Sequence, residues 1–88
     1  MRVIVKFLGS LRLANALREI EIELPVNSKV IDLIESISND YSKAAEILRN
    51  PARNLIMLGG IEVGNLEGFE TSICDGSEVV LIPVTHGG

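Results

Sequence analysis

Glu78-Val79-Val80-Leu81-Ile82-Pro83-Val84 is the stretch on which the fold turns. Its aliphatic, mostly β-branched residues read as a strand, and both alternating faces are apolar, which places the strand in the centre of a sheet. Asp75-Gly76 supplies a turn before it, and Pro83 stands near its exit, where a missing N–H is tolerated. Working backwards, Asn54 to Leu58 reads as another strand, Gly59-Gly60 as a tight turn with positive φ available, and Ile61 to Val63 as a short return strand. Gly64 to Thr71 reads as a loop anchored by Phe69.

At the other end, Met1 to Leu8 carries Val3, Val5 and Phe7 on one face and Ile4, Lys6 and Leu8 on the other, a buried strand. After the loop Gly9 to Ala16, Ile20, Ile22 and Leu24 alternate with Glu19, Glu21 and Glu23, a half-exposed strand ended by Pro25. The short connection predicts an antiparallel hairpin. Asn27 or Ser28 is then expected to cap a helix whose apolar residues fall at Val30, Leu33, Ile34 and Ile37, with Asp32, Glu35 and Asp40 off that stripe. A second short helical segment over Ser42 to Arg49 is stopped by Asn50-Pro51. The order strand, strand, helix, strand, strand, strand predicts an α+β fold of two layers, a mixed sheet of four to five strands packed on one main helix.

Eighty-eight residues, 47% apolar and 23% charged, suffice for one globular domain and leave no room for a second core. Twelve acidic residues against eight basic ones give a formal charge of −4, where a nucleic-acid binder presents a basic face. The charge is uneven: no Lys or Arg follows Arg53, so Glu62, Glu67, Glu70, Asp75 and Glu78 stand unopposed, and a protein docking there should be basic. The single Cys74 forms no internal disulfide, which points to a reducing cytoplasm. The run Val79 to Ile82 is far short of the ~20 residues that span a bilayer. Lys6 and Arg12 interrupt the apolar region that a signal peptide needs, so the start reads as mature sequence.

The chemical inventory is sparse. No phosphate-binding P-loop occurs, and Gly59-Gly60-Ile61-Glu62-Val63-Gly64 has neither the spacing nor the context of a dinucleotide fingerprint. One His and one Cys twelve residues apart make no closed metal site. Cys74 reads as an inert core or near-core thiol, with transient persulfide chemistry as the lesser alternative. Glu19, Glu21 and Glu23 read as a solvated face rather than an acid/base pair. Leu8, Leu11 and Leu13 are candidates for an exposed apolar patch, although core packing is the favoured reading of them.

What remains is the end of the chain, Val84-Thr85-His86-Gly87-Gly88. Its α-carboxylate, with an ordinary pKa of about 3.3–3.7, is ionised at neutral pH and is no electrophile, so chemistry on it needs activation by another protein. Two residues without Cβ thread a narrow channel that others would block. The division follows: a domain over residues 1–84 and a flexible tail over 85–88.

Ile73-Cys74-Asp75-Gly76-Ser77-Glu78-Val79-Val80-Leu81-Ile82-Pro83, followed by Gly87-Gly88, resembles the closing signature of the ubiquitin-like β-grasp sulfur carriers: the small subunit of molybdopterin synthase (MoaD), ThiS and the SAMP-type archaeal modifiers. The opening, Val5-Lys6-Phe7-Leu8-Gly9 through Leu11-Arg12, is similar to the MoaD branch, and Gly59-Gly60-Ile61-Glu62-Val63 falls where that family has its Asn-Gly hairpin. Ser77 stands where the family often has Asp. His86 before the glycines is similar to the eukaryotic ubiquitin-related modifier, which serves tRNA thiolation and conjugation.

The resemblance implies a ubiquitin-like β-grasp fold and a carrier that performs no catalysis alone. Gly88 would be adenylated by an E1-like enzyme, which consumes ATP, and converted to a thiocarboxylate that donates sulfur, or joined to a lysine; Gly87 would thread beside it. The implied partners are that adenylating enzyme, a sulfur donor protein, and the molybdopterin synthase large subunit or another acceptor. Neither a bound cofactor, a metal, direct nucleic-acid contact nor a membrane is expected. Besides Gly87, His86 and Thr85, partner contact is expected from Phe7, Leu8, Val80 and Ile82, with Glu78 and neighbouring acids as a rim. A plain β-grasp interaction domain with accidental glycines is the alternative from another functional class.

Overall fold

A computed structural model describes residues 1–9, 18–42, 45, 48 and 54–84. Five strands form one sheet: β1 (Arg2–Phe7), β2 (Glu19–Glu23), β3 (Asn54–Leu58), β4 (Ile61–Glu62) and β5 (Glu78–Pro83), in the order β2-β1-β5-β3-β4. Helix α1 (Val30–Asp40) joins the two halves. β1 and β2 pair antiparallel with Val3 opposite Ile22 and Val5 opposite Ile20, as the hairpin expectation required. β5 enters between the hairpins, parallel to β1 and antiparallel to β3. The architecture is α+β, a ubiquitin-like β-grasp.

The core lies between α1 and one face of this sheet. Val3, Val5 and Phe7 of β1 and Val79 and Leu81 of β5 are essentially inaccessible, as are Val30, Leu33 and Ile37 of α1. Burial of each large aliphatic side chain contributes roughly 1.5–3 kcal/mol. The i, i+3, i+4, i+7 stripe of α1 therefore lands on the parallel pair, and Asp32, Glu35 and Asp40 face solvent. At its C-terminal end, Tyr41 meets Phe7 edge-on with ring centroids 6.4 Å apart.

The start of α1 differs from expectation. Neither Asn27 nor Ser28 caps it: Asn27 occupies a left-handed turn position at φ 71°, and the Ser28 hydroxyl donates to the Pro25 carbonyl. Lys29 is the N-cap, and its backbone N–H donates to the Asp32 carboxylate at 2.7 Å, so the acid at the third helical position supplies the reciprocal half of a capping box. The same region is tied to the segment that leads into β5. The Val30 N–H donates to the Thr71 carbonyl, the Ile73 N–H to the Ser28 carbonyl, and the Lys29 ammonium lies 2.6 Å from Glu70.

Gly59 and Gly60 turn at φ 58° and 83°, which glycine adopts without penalty, but the return strand is shorter than expected. Val63 leaves it for a 3₁₀ turn, Val63–Asn65, and a second such turn, Gly68–Glu70, carries the half-buried Phe69 against the core. Of the second helical segment expected over Ser42–Arg49, Ser42, Ala45 and Leu48 are described and helical, the last two buried.

Two outcomes are expected from this packing. Leu33→Ala should lower stability by about 2–5 kcal/mol in urea unfolding, because a fully buried leucine leaves a cavity between helix and sheet. The Glu70 partner, by hydrogen bond and then by charge, raises the Lys29 pKa above 10.5, so the pair's stabilisation is present at neutral pH and lost as pH rises past that value. Glu70→Gln should therefore reduce the alkaline fall in melting temperature relative to the parent chain, with no change in slope on the acid side from Lys29.

Candidate functional site

Alternation along β5 divides its side chains between two environments. Val79 and Leu81 point at α1, whereas Val80 and Ile82 lie on the opposite face, which no described element covers. Both faces of the strand are apolar in sequence, and only the inner one is core. Register places Leu55 beside Ile82 and Met57 beside Val80 across the β3–β5 ladder, and Lys6 beside Val80 across the β1–β5 ladder. Leu8 follows at the end of β1, its N–H donating to the Leu81 carbonyl at 3.1 Å.

The result is an open, mainly apolar patch at the end of the sheet where β5 exits. Leu8 and Leu55 are 42% and 40% exposed, and Val80, Ile82 and Met57 are half-buried by their neighbours. Charge increases away from this patch. Lys6 Nζ lies 3.3 Å from Glu78 Oε2, and Arg2 reaches Glu21 and Glu23 at 3.7 and 3.5 Å on the far side. Such half-exposed pairs contribute roughly 0–1 kcal/mol to stability, so they shape the surface potential more than the fold. Glu19 and Glu21, opposite Lys6 and Ile4 in the β1–β2 ladder, continue an acidic margin along β2.

Three residues expected at this surface are there: Leu8, Val80 and Ile82. Phe7 is not, because period two along β1 turns it inward with Val3 and Val5, where it is 1% exposed and packs on Tyr41. Thr85, His86, Gly87 and Gly88 lie outside the described residues, as do Leu11 and Leu13. Leu55 and Met57 were not anticipated; their alternation with Ile56 was visible, but nothing in a single strand tells which neighbour it acquires. Cys74 is exposed rather than near-core, since Ile73 takes the inward position and the Cys74 N–H donates to Ser77 Oγ in the turn. Among the described residues no group of His, Cys, Asp or Glu has the arrangement of a metal site, and no helix is long and apolar enough to cross a membrane.

The apolar patch thus lies beside the exit of the last strand, β5. The ThiS family model matches residues 5–88. The chain belongs to the ThiS family. It is thus one of the ubiquitin-like sulfur carriers and modifiers. Among solved structures, the Pyrococcus furiosus protein described as molybdopterin converting factor, subunit 1, is 28% identical, with TM-score 0.82 over 97% of this chain and 99% of that one. The small archaeal modifier protein 1 from Methanosarcina acetivorans is 26% identical, with TM-score 0.81 over 99% and 96% of the two chains. The HVO 2177 protein of Haloferax volcanii shares the fold at TM-score 0.86 and 24% identity, over 100% of this chain and 87% of its own. No curated protein sequence matches the chain.

The division of β5 has a direct check. Ile82→Asp should retain a cooperative melt with a loss of about 1 kcal/mol or less, as expected for a surface position. Leu81→Asp should give no folded protein, because an unpaired carboxylate would be placed in the fully buried layer.

Proposed function

We propose that this chain is a sulfur carrier whose functional group is the carboxylate of Gly88, and that it serves as the small subunit of a molybdopterin synthase in molybdenum cofactor biosynthesis. The observation that carries the reading is a family match running through Gly87-Gly88, on a fold whose last strand exits beside an open apolar patch. The similarity to the Pyrococcus furiosus molybdopterin converting factor subunit favours the molybdopterin branch.

An E1-like partner would join the Gly88 carboxylate to the α-phosphate of ATP, releasing pyrophosphate and making the carbonyl electrophilic. A sulfur nucleophile at the hydrosulfide level then attacks that carbon; the C–O bond to AMP breaks as the C–S bond forms. The thiocarboxylate passes its sulfur to the acceptor held by the synthase large subunit, and water restores the carboxylate. Leu8, Val80, Ile82, Leu55 and Met57 dock the partners through apolar contact, and the acids around them favour a basic rim on the partner. Residues 1–84 are the folded body and 85–88 the delivered tail. The reducing cytoplasm suits a thiocarboxylate and an unpaired Cys74.

A second reading uses the same glycine. The likeness to small archaeal modifier protein 1 and His86 before the glycines favour a protein modifier or tRNA-thiolation carrier, in which a lysine amine attacks the adenylate and AMP leaves as an amide forms. Stable association with a synthase large subunit supports the first reading; lysine-linked adducts support the second.

Incubation with ATP, a sulfur donor and the activating enzyme of the same cell, followed by cleavage after Glu78, releases Val79–Gly88, which contains no Met or Cys to mimic the shift by oxidation. A sulfur-for-oxygen mass change on that peptide, absent when Gly88 is deleted, is the expected result. An unmodified peptide would overturn the carrier reading in favour of an interaction domain. Ile82→Asp, folded but altered at the patch, should weaken partner binding by about tenfold or more, the loss typical of a central apolar contact.

A further inference from the structure

β2 ends the sheet, and among the described residues nothing pairs with its outer edge. Which backbone groups face that edge follows from the β1–β2 ladder. Leu24 and Met1 bond in both directions, at 2.9 and 2.7 Å, and the Phe7 N–H donates to the Arg18 carbonyl at 2.9 Å. Bonded and non-bonded pairs alternate along an antiparallel ladder, so Ile20 and Ile22, opposite Val5 and Val3, turn their amides to β1. Glu19, Glu21 and Glu23 therefore turn their N–H and C=O groups outward. The residues opposite them agree: the Ile4 N–H donates away from β2 to the Ser77 carbonyl, and the Arg2 N–H to the Asp75 carboxylate. The same three glutamates are exposed on the face away from α1, while Ile20 and Ile22 lie half-buried against the core.

We propose that the outer edge of β2 is a strand-addition site for an extended segment of a partner protein that carries Lys or Arg at alternate positions. The inference is independent of the chemistry at Gly88. A row of unpaired N–H and C=O groups is a template for one more strand. A strand added there stands about 4.8 Å from β2, and its residues opposite Glu19, Glu21 and Glu23 point to the same face, within reach of the carboxylates. Arg2, which reaches Glu21 and Glu23, and Lys6, which reaches Glu78, belong to β1, one strand further back, so the acids are the nearer charges. The intervening residues of the added strand fall beside Ile20 and Ile22 and are therefore apolar. Beyond Glu23 the edge opens into a groove lined by Val26, Asp32 and Glu35 as well as Glu23, with no Lys or Arg in its lining, so the acidic character continues along the partner's path. A second copy of this chain does not fit: pairing two β2 strands antiparallel about Glu21 sets glutamate against glutamate along that whole face.

The probe is an acetylated, amidated Lys-Val-Lys-Val-Lys peptide titrated into the full chain and followed by amide NMR and hydrogen exchange. It should bind at least about tenfold more tightly than Val-Val-Lys-Lys-Lys, which has the same charge without the alternation, and should weaken as salt rises. The Glu21 N–H, which has no acceptor in β1, should become protected from exchange, a change that loose attraction to an acidic surface does not produce. N-methylation distinguishes the two edges of the peptide. Lysines facing the glutamates turn their own N–H groups to β2, so N-methylation of the central Lys should cost about tenfold or more in affinity, whereas N-methylation of a Val should change it by less than about twofold. Glu21→Gln should weaken binding and leave the melting temperature within about 2 °C, because its pairing with Arg2 is exposed to solvent. Equal binding of the two peptides, indifference to N-methylation of Lys, or shifts centred on Leu8, Leu55 and Ile82 would overturn the proposal. So would absence of binding, which would leave the acids as a guard against pairing. Protection of Glu21 that grows with protein concentration in the absence of peptide would assign the edge to a second copy and overturn it equally.

Discussion

The parallel pairing of β1 with β5 is the constraint on which the molecule depends. These strands are separated by most of the chain, and a parallel pair is reached only through a crossover, so the helix between the hairpins is a geometric necessity as well as a lid. Val5 and Phe7 stand beside Val79 and Leu81 in register, and Leu33 and Ile37 close over them. The ties between the start of α1 and the segment before β5 put both ends of this crossover in place. The Lys29 cap, the Thr71 and Ser28 carbonyls and the Glu70 ion pair all act on the same joint. Removing an apolar contact from the centre of this arrangement is costly because the surrounding backbone is held by both ladders and cannot collapse into the space.

Among the described residues, α1 covers one face of the five-stranded sheet. The opposite face is divided: charged toward β2, apolar toward the exit of β5. The division follows from strand order. β2 brings its acids to one margin, whereas β3 brings Leu55 and Met57 beside Ile82 and Val80. The apolar part thus sits beside the exit of β5. On the proposed reading a carrier needs no reacting side chains of its own, and the site would consist of this docking surface and the Gly88 carboxylate.

Legibility in the sequence followed the range of the interactions involved. The apolar stripe Val30, Leu33, Ile34, Ile37 and the alternation Glu19 to Leu24 were readable because each is a local periodicity that burial converts directly into a face. The Gly59-Gly60 turn was readable because few other residue pairs accept its dihedrals. The cap of α1 was missed because two good capping residues precede it, but Asn27 takes a left-handed turn position and Ser28 donates to the Pro25 carbonyl while its own carbonyl accepts from the Ile73 N–H. Phe7 was assigned outward although its alternation with Val3 and Val5 points inward. Cys74 was taken for a near-core thiol, where the turn at Asp75-Gly76 gives the inward position to Ile73.

The sequence by itself determined the elements, their order, the central rank of β5 and the terminal glycines, because these depend on residue type and on spacings of a few residues. It left open which apolar face of β5 is buried and which strand stands beside it. Those were decided by tertiary structure alone, since each depends on the position of a helix or strand tens of residues away, and a strand apolar on both sides carries no mark of which side that helix will cover.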